Sequence, residues 1–269
     1  MKPFCDEEND ALKSYEKAFI TRYTYNSNTI EGSTLSIGDT ALVLEGEFIP
    51  GKPGREHFMA RGVAEGFDYA RRMLEEGRPF TENLIKDIHE RTALDCQPRT
   101  RGTYRTNPVY LIGSSVEPVH ALEIRENMAD LFYAYENSNS HPVIKAAAFH
   151  AMFENIHPFV DGNGRCGRTI LNYMLEKEGY LSVSLKADNR KGYIDGLTAW
   201  QLEGNPMPFL ALIIESLDIE YASRTDAVEQ TRETMRYFRE HPALEQESRD
   251  ARDASRDDTE RRSHDKEER

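Results

Sequence analysis

Apolar side chains recur every three or four positions along most of this chain, and that rhythm commits it to packed helices. Leu12, Tyr15, Phe19 and Tyr23 form one stripe over 11–24. Phe58, Val63, Phe67, Ala70 and Leu74 repeat it over 57–76, where Gly77 and Pro79 supply a stop. Ser36 caps a short helix that ends near Gly46, and Thr81 caps one through Leu84, Ile85 and Ile88. Further helices are expected over 122–135, 143–155, 169–178, 193–202 and 209–238. Residues 106–118 break the rhythm. The β-prone run Val109-Tyr110-Leu111-Ile112, the turn Gly113-Ser114 and the exit Pro118 predict a small hairpin. The expected architecture is all-α, a helical bundle with one short β-hairpin flap.

Charge and composition narrow the function. The formal net charge is −13, which opposes general binding to nucleic acid. No stretch approaches the ~20 apolar residues that cross a bilayer. Cys5, Cys96 and Cys166 are dispersed, so no disulfide framework or metal-ligand spacing emerges. The first residues lack the apolar run of a signal peptide. These features predict a cytoplasmic protein with reduced thiols, no membrane and no nucleic-acid partner. Residues 246–269 are dense in both charges, with Ala251 and Ala254 as their only aliphatic side chains. Such a segment cannot offset its ordering entropy by burial, which predicts a disordered tail.

The segment His157-Pro158-Phe159-Val160-Asp161-Gly162-Asn163-Gly164-Arg165-Cys166-Gly167-Arg168 carries the chemistry. An apolar helix runs into His157, and Pro158 stops it. Gly162 and Gly164 permit a tight loop before a second apolar helix through Ile170, Leu171, Met174 and Leu175. The free N–H groups at that helix start favour an anion, and Arg165 and Arg168 add forked cations suited to phosphate. Asp161 offers a carboxylate for Mg²⁺, which usually takes its other ligands from water and phosphate. His157 can exchange a proton near neutral pH. A phosphate cradle, a metal ligand and a base together suit phosphoryl or nucleotidyl transfer.

This segment resembles the Fic family signature H-P-F-x-x-G-N-G-R-x-x-R at all of its fixed positions. The resemblance implies a Fic-type bundle with the flap over the loop, and transfer of AMP from ATP to a Ser, Thr or Tyr hydroxyl of a target protein or of the chain itself. It implies His157 as general base and Asp161 as the Mg²⁺ ligand. Gly162, Asn163, Gly164 and Arg165 would line the phosphate cradle, with Arg168 on the γ-phosphate and Phe159 anchoring the loop. Tyr193 and Gln201 would complete the ATP site. The flap residues Tyr110, Leu111, Ile112 and Gly113 would pair with an extended target segment. Arg105 resembles a flap-base residue of structural use, whereas His89, His120 and His150 read as structural histidines. Self-association is a further implication.

Ser27-Asn28-Thr29-Ile30-Glu31-Gly32 resembles the inhibitory motif [S/T]-x-x-x-E-[G/N] of the same family. That implies autoinhibition by Glu31 set against Arg168, with Ser27 and Gly32 as the motif's other fixed positions. The same carboxylate suits the reverse reaction, hydrolysis of AMP from a modified target, or a bifunctional switch. A non-catalytic nucleotide-binding module is a further alternative. The expected organisation is N-terminal helices over 1–50 including the inhibitory motif, a Fic core over 51–245, and the charged tail.

Overall fold

The computed structural model describes residues 4–110, 116–242 and 244. The chain divides into two compact units, residues 16–221 and a second made of residues 1–15 with 222–269. The helices, in chain order, are α1 (Asp6–Ile30), α2 (Ile37–Leu44), α3 (Gly54–Glu75), α4 (Glu82–Thr92), α5 (Ile124–Asn137), α6 (Pro142–Ile156), α7 (Asn163–Lys177), α8 (Arg190–Glu203) and α9 (Met207–Glu240). No helix among the described residues is long and apolar enough to cross a membrane.

The centre of the 16–221 unit is the pair α6 and α7. Ala146, Ala147, Phe149, Ala151 and Phe153 are all buried, so α6 turns a wide apolar face into the core. Pro142 begins it at N1, where the missing N–H costs nothing. α7 packs against α3, α4 and α6, and α6 packs against α5 and α8. Phe80 ties several of these together: its ring stacks on Tyr173 and meets Phe149 and Tyr135 edge-on. A buried aromatic of this size contributes about 1.5–3 kcal/mol by leaving water. Phe19, Tyr23, Val63 and Phe67 form a second cluster, and the Tyr23 hydroxyl lies 2.9 Å from Thr169 Oγ1 of α7. That contact places the last turns of α1 against the first turns of α7.

Local capping follows the sequence. Ser36 and Asp39 form a reciprocal capping box on α2, and Thr81 Oγ1 accepts the Leu84 N–H of α4. In the other unit, Glu8 accepts the Cys5 N–H and pairs with Arg232 of α9.

Two expectations differ from the structure. α7 starts at Asn163 rather than at residue 169, so Arg165 and Arg168 are helical residues one turn apart. Apolar spacing could not reveal this start, because these turns bury polar side chains. The flap segment forms no strand in its described parts, 106–110 and 116–118. Arg105 takes up the local acceptors instead, donating to the carbonyls of Asn107 and Val119. Leu111, Ile112 and Gly113, and the tail 246–269, lie outside the described residues.

Candidate active site

The site begins where α6 must stop. His157 is its C-cap at φ 51°, the left-handed region, and is the one non-glycine residue with positive φ among those described. That conformation costs on the order of 1–2 kcal/mol and persists because other groups fix it. Buried Arg105 supplies the fixing contacts. Its Nε donates to the His157 carbonyl at 2.8 Å, a terminal nitrogen reaches the Ile156 carbonyl, and its backbone N–H donates to Pro158. Among the described residues no carboxylate pairs with this cation, which caps the carbonyl end of α6.

The His157 ring is set by the same turn. Nδ1 faces the Glu154 carbonyl at 3.3 Å. A carbonyl only accepts, so Nδ1 carries the proton and Nε2 keeps the lone pair. Burial lowers the ring's pKa, and it is neutral at pH 7.

The loop rests on an aromatic floor. Phe159 is fully buried and stacks on His89 with ring centroids 3.6 Å apart. His89 Nδ1 accepts the Gly102 N–H, which leaves its Nε2–H to donate to the Asp161 carbonyl at 2.8 Å. Burial lowers His89 to about 4, so it stays a neutral strut. The Asn163 amide closes the loop on both sides of one residue. Its oxygen accepts the Phe159 N–H at 2.8 Å and its nitrogen donates to the Phe159 carbonyl at 2.9 Å.

Gly162 then opens α7 at φ 79°, a left-handed conformation open to glycine at no steric cost. It provides no side-chain cap, so the first-turn N–H groups of α7 stay available to an anion.

Three ion pairs surround this helix tip. Arg165 and Asp95 form a pair that is almost fully buried on both sides, with contacts of 2.6 and 3.3 Å. Burial disfavours the Asp95 charge, yet the two guanidinium groups beside it hold its carboxyl below the usual range. Arg168, also buried, donates through Nε to Ser27 Oγ and through NH2 to the Ser27 carbonyl and to Glu31 Oε1 at 2.7 Å. Burial opposes the Glu31 charge, but Arg168 prevails and lowers its pKa. Asp161, half exposed, points its Oδ2 at Arg55 and its Oδ1 at its neighbour's N–H, the Gly162 amide.

Gly164 makes the Glu31 contact possible. A Cβ at that position would lie 2.2 Å from Glu31 Oε1. Glu31 follows directly on α1, and Gly32 turns the chain away at φ 92°.

The structure therefore brings His157, Asp161, Gly162, Asn163, Gly164, Arg165, Arg168, Ser27, Glu31 and Gly32 to one place. It gives some of them other partners than expected. The side chains of Asn163 and Arg165 are bonded to Phe159 and Asp95, so a cradle here is built from backbone N–H groups and Arg168. Tyr193 is buried, with its hydroxyl between His150 Nε2 at 2.9 Å and Arg168 NH1 at 3.4 Å. Gln201 donates to the Ala151 carbonyl, tying α8 to α6. Tyr110 is exposed beside the undescribed flap tip.

Sequence reasoning did not single out Arg55, Asp95 or Glu154. Glu154 lies on the apolar helix α6 with Oε1 buried and unpartnered, and burial raises its pKa to about 8 against the pull of Arg168. A lone acid in an apolar helix, three residues before His157, was the available signal. Asp95 and Arg55 carried none, because both act through contacts distant in sequence.

Residues 79–175 match the Fic/DOC family. The chain is 32% identical over 230 residues to the protein adenylyltransferase Fic of Drosophila mojavensis, covering 83% of this chain and 46% of that protein. It is 34% identical over 216 residues to the Aedes aegypti protein of the same name, covering 78% and 42%. The chain thus spans less than half the length of these curated relatives. Among solved structures, a fragment of Fic-1 from Caenorhabditis elegans superposes with a TM-score of 0.72 at 27% identity, covering 82% of this chain and 68% of that one. A Fic domain containing signaling protein from Bacteroides thetaiotaomicron shares the fold at a TM-score of 0.76 and 24% identity, covering 82% and 91%.

Proposed function

Because the chain carries a Fic/DOC family domain, we propose that it is a protein adenylyltransferase held in check by its own Glu31. One observation supports this reading above the rest. A neutral imidazole with its Nε2 lone pair available stands at the end of α6, just before an uncapped helix N-terminus and a half-exposed carboxylate.

In this reading the first-turn N–H groups of α7 receive the phosphates of ATP. His157 Nε2 accepts the proton of a target hydroxyl while that oxygen bonds to the α-phosphorus. The bond from the α-phosphorus to the bridging oxygen breaks, and pyrophosphate leaves with its electron pair. The αL turn fixed by Arg105 holds the imidazole against the loop, and the stacked pair Phe159 and His89 holds the loop level. Tyr110, with Leu111, Ile112 and Gly113, would receive the target segment.

Asp161 suits a hard divalent cation. It is a half-exposed carboxylate oxygen beside an anion-binding helix tip, with room for water and phosphate oxygens to complete the shell. Bound Mg²⁺ would neutralise phosphate charge there. Neither Asn163 nor Arg165 needs to reach the nucleotide, since each holds the loop in place.

Glu31 supplies the brake. Its carboxylate engages the guanidinium that would meet the γ-phosphate, and it lies directly over Gly164. A like charge at that point opposes the triphosphate. A second reading, hydrolysis of AMP from a modified protein, draws on the ionised, part-exposed carboxylate of Glu31 held beside Arg168.

The test uses ATP labelled at the α-phosphate, with Mg²⁺ and a cell lysate. Glu31→Gly should label protein far above wild type. His157→Ala in that background should abolish labelling while ATP affinity stays near its parent. A parallel reaction with ATP labelled at the γ-phosphate should leave protein unlabelled, and label on protein there would replace AMP transfer with phosphoryl transfer.

A further inference from the structure

Asp161 and Asp95 come from different parts of the chain, yet one guanidinium spans them. Arg55, in the first turn of α3, donates from Nε to Asp95 Oδ2 at 2.9 Å and from NH2 to Asp161 Oδ2 at 2.6 Å. The two ends of this bridge differ. Asp95 is fully buried and already neutralised by buried Arg165. Asp161 and Arg55 are 49% and 59% exposed, so their contact is the exchangeable one.

The surrounding geometry makes that contact consequential. Asp161 Oδ1 accepts the Gly162 N–H and lies 3.6 Å from Arg165. Oδ2 is therefore the oxygen that faces out of the loop, and Arg55 holds it. Asp95, Cys96 and Asp161 offer ligand atoms that all lie within 4.8 Å of one another. A cation arriving at Asp161 enters the space that the Arg55 fork occupies.

We propose that Arg55 is a positioning residue that competes with the divalent cation for Asp161 Oδ2, keeping hold of Asp95 while it releases Asp161. This rests on the reading of Asp161 as the cation ligand given above. The consequence is selectivity. Free cation must displace a guanidinium to reach Asp161. Cation arriving with polyphosphate brings negative charge that offsets the loss of that contact. Arg55 thereby ties metal occupancy to nucleotide occupancy. Its exposed position at the start of α3 also means that replacing it leaves the core intact.

The experiment titrates the full chain with Mn²⁺ alone, without nucleotide, and reads free Mn²⁺ by electron paramagnetic resonance. Arg55→Ala should bind Mn²⁺ about threefold to fivefold more tightly than wild type, the scale of an exposed ion pair. Arg55→Lys keeps the charge but replaces the planar two-ended fork with a single nitrogen, and it too should bind more tightly than wild type, by about twofold on the same scale. Asp161→Asn should weaken binding and abolish the gain in the double variant. Arg55→Lys equal to wild type would reduce the effect to charge alone and overturn the proposal. Arg55→Ala equal to wild type, with Asp161→Asn still weaker, would overturn the competition while leaving Asp161 as ligand. Asp161→Asn equal to wild type would remove the ligand reading itself. Unchanged thermal unfolding of Arg55→Ala confirms that folding is not the variable.

Discussion

Arg165 and Arg168 stand one turn apart at the start of α7, and each faces a carboxylate from a distant part of the chain. Asp95 meets Arg165 with both partners sealed from water, and the two terminal nitrogens of the guanidinium each reach one oxygen of the carboxylate. Glu31 meets Arg168 from the end of α1 with about a third of its side chain exposed, and Arg168 keeps Ser27 and Tyr193 as further partners. The first pair cannot open without stranding a buried charge. The second can, because Arg168 retains other acceptors and Glu31 can turn into water. Two arginines from one motif thus do different work, one fixing the loop and the other held for exchange. Burial of the carboxylate, rather than of the arginine, separates them.

That contrast can be broken at several points. Asp95→Ala should have the largest effect, costing about 3–5 kcal/mol in denaturant unfolding, since it leaves the Arg165 charge buried with only the Asp161 carboxylate, 3.6 Å away, to face it. A loss under about 1 kcal/mol, the range of exposed pairs, would erase the distinction between the pairs.

Glu154→Gln probes the ground between them, and its sign follows from linkage. With a folded pKa raised to about 8, Glu154 holds its proton in the native state while the unfolded chain releases it near the ordinary glutamate value. Wild-type stability should therefore fall as pH rises from about 5 to 8, and the glutamine variant should show a flatter profile. Urea unfolding at pH 5, 6.5 and 8 measures it. Equal slopes would mean Glu154 is ionised throughout.

Glu31→Gly should cost about 1 kcal/mol or less in unfolding while raising AMP transfer about tenfold or more, so that stability and activity move apart. A cost matching that of Asp95→Ala would make Glu31 a structural residue.

The smallest effect is acidic. The lowered pKa of Glu31 contributes stability that is present above its unfolded value, near 4.3, and is lost as pH falls below it. Glu31→Gln should remove that part of the acid slope, measured by thermal unfolding between pH 3 and 5. An unchanged slope would place the Glu31 charge outside the pairing.

Much of the fold could be read directly. Phe19 and Tyr23, or Phe149 and Phe153, bury at their helical spacing as expected. The start of α7 could not, because Asn163, Arg165 and Arg168 are buried polar residues that hydropathy reads as surface. The resemblance gave Arg105 a structural use at the flap base but not its acceptors. Arg105 spends its guanidinium on carbonyls of 107, 119, 156 and 157, which no local β propensity reveals. At the site, the motif located the imidazole, the carboxylate and both arginines, while His89, Asp95 and Arg55 joined only through folding.

The sequence by itself determined that this chain would be helical, where α6 would break, and which residue types would meet at the break. Those are local matters of periodicity, a proline after a histidine, and glycines that free the backbone. Beyond Glu31 against Arg168, which the motif implied, tertiary structure decided which oxygen each guanidinium holds. Asp95, Glu31 and Arg55 reach the loop across tens of residues, and an ion pair's worth depends on how much water packing leaves around it. Covalent order specifies the charges, and burial decides which of them can let go.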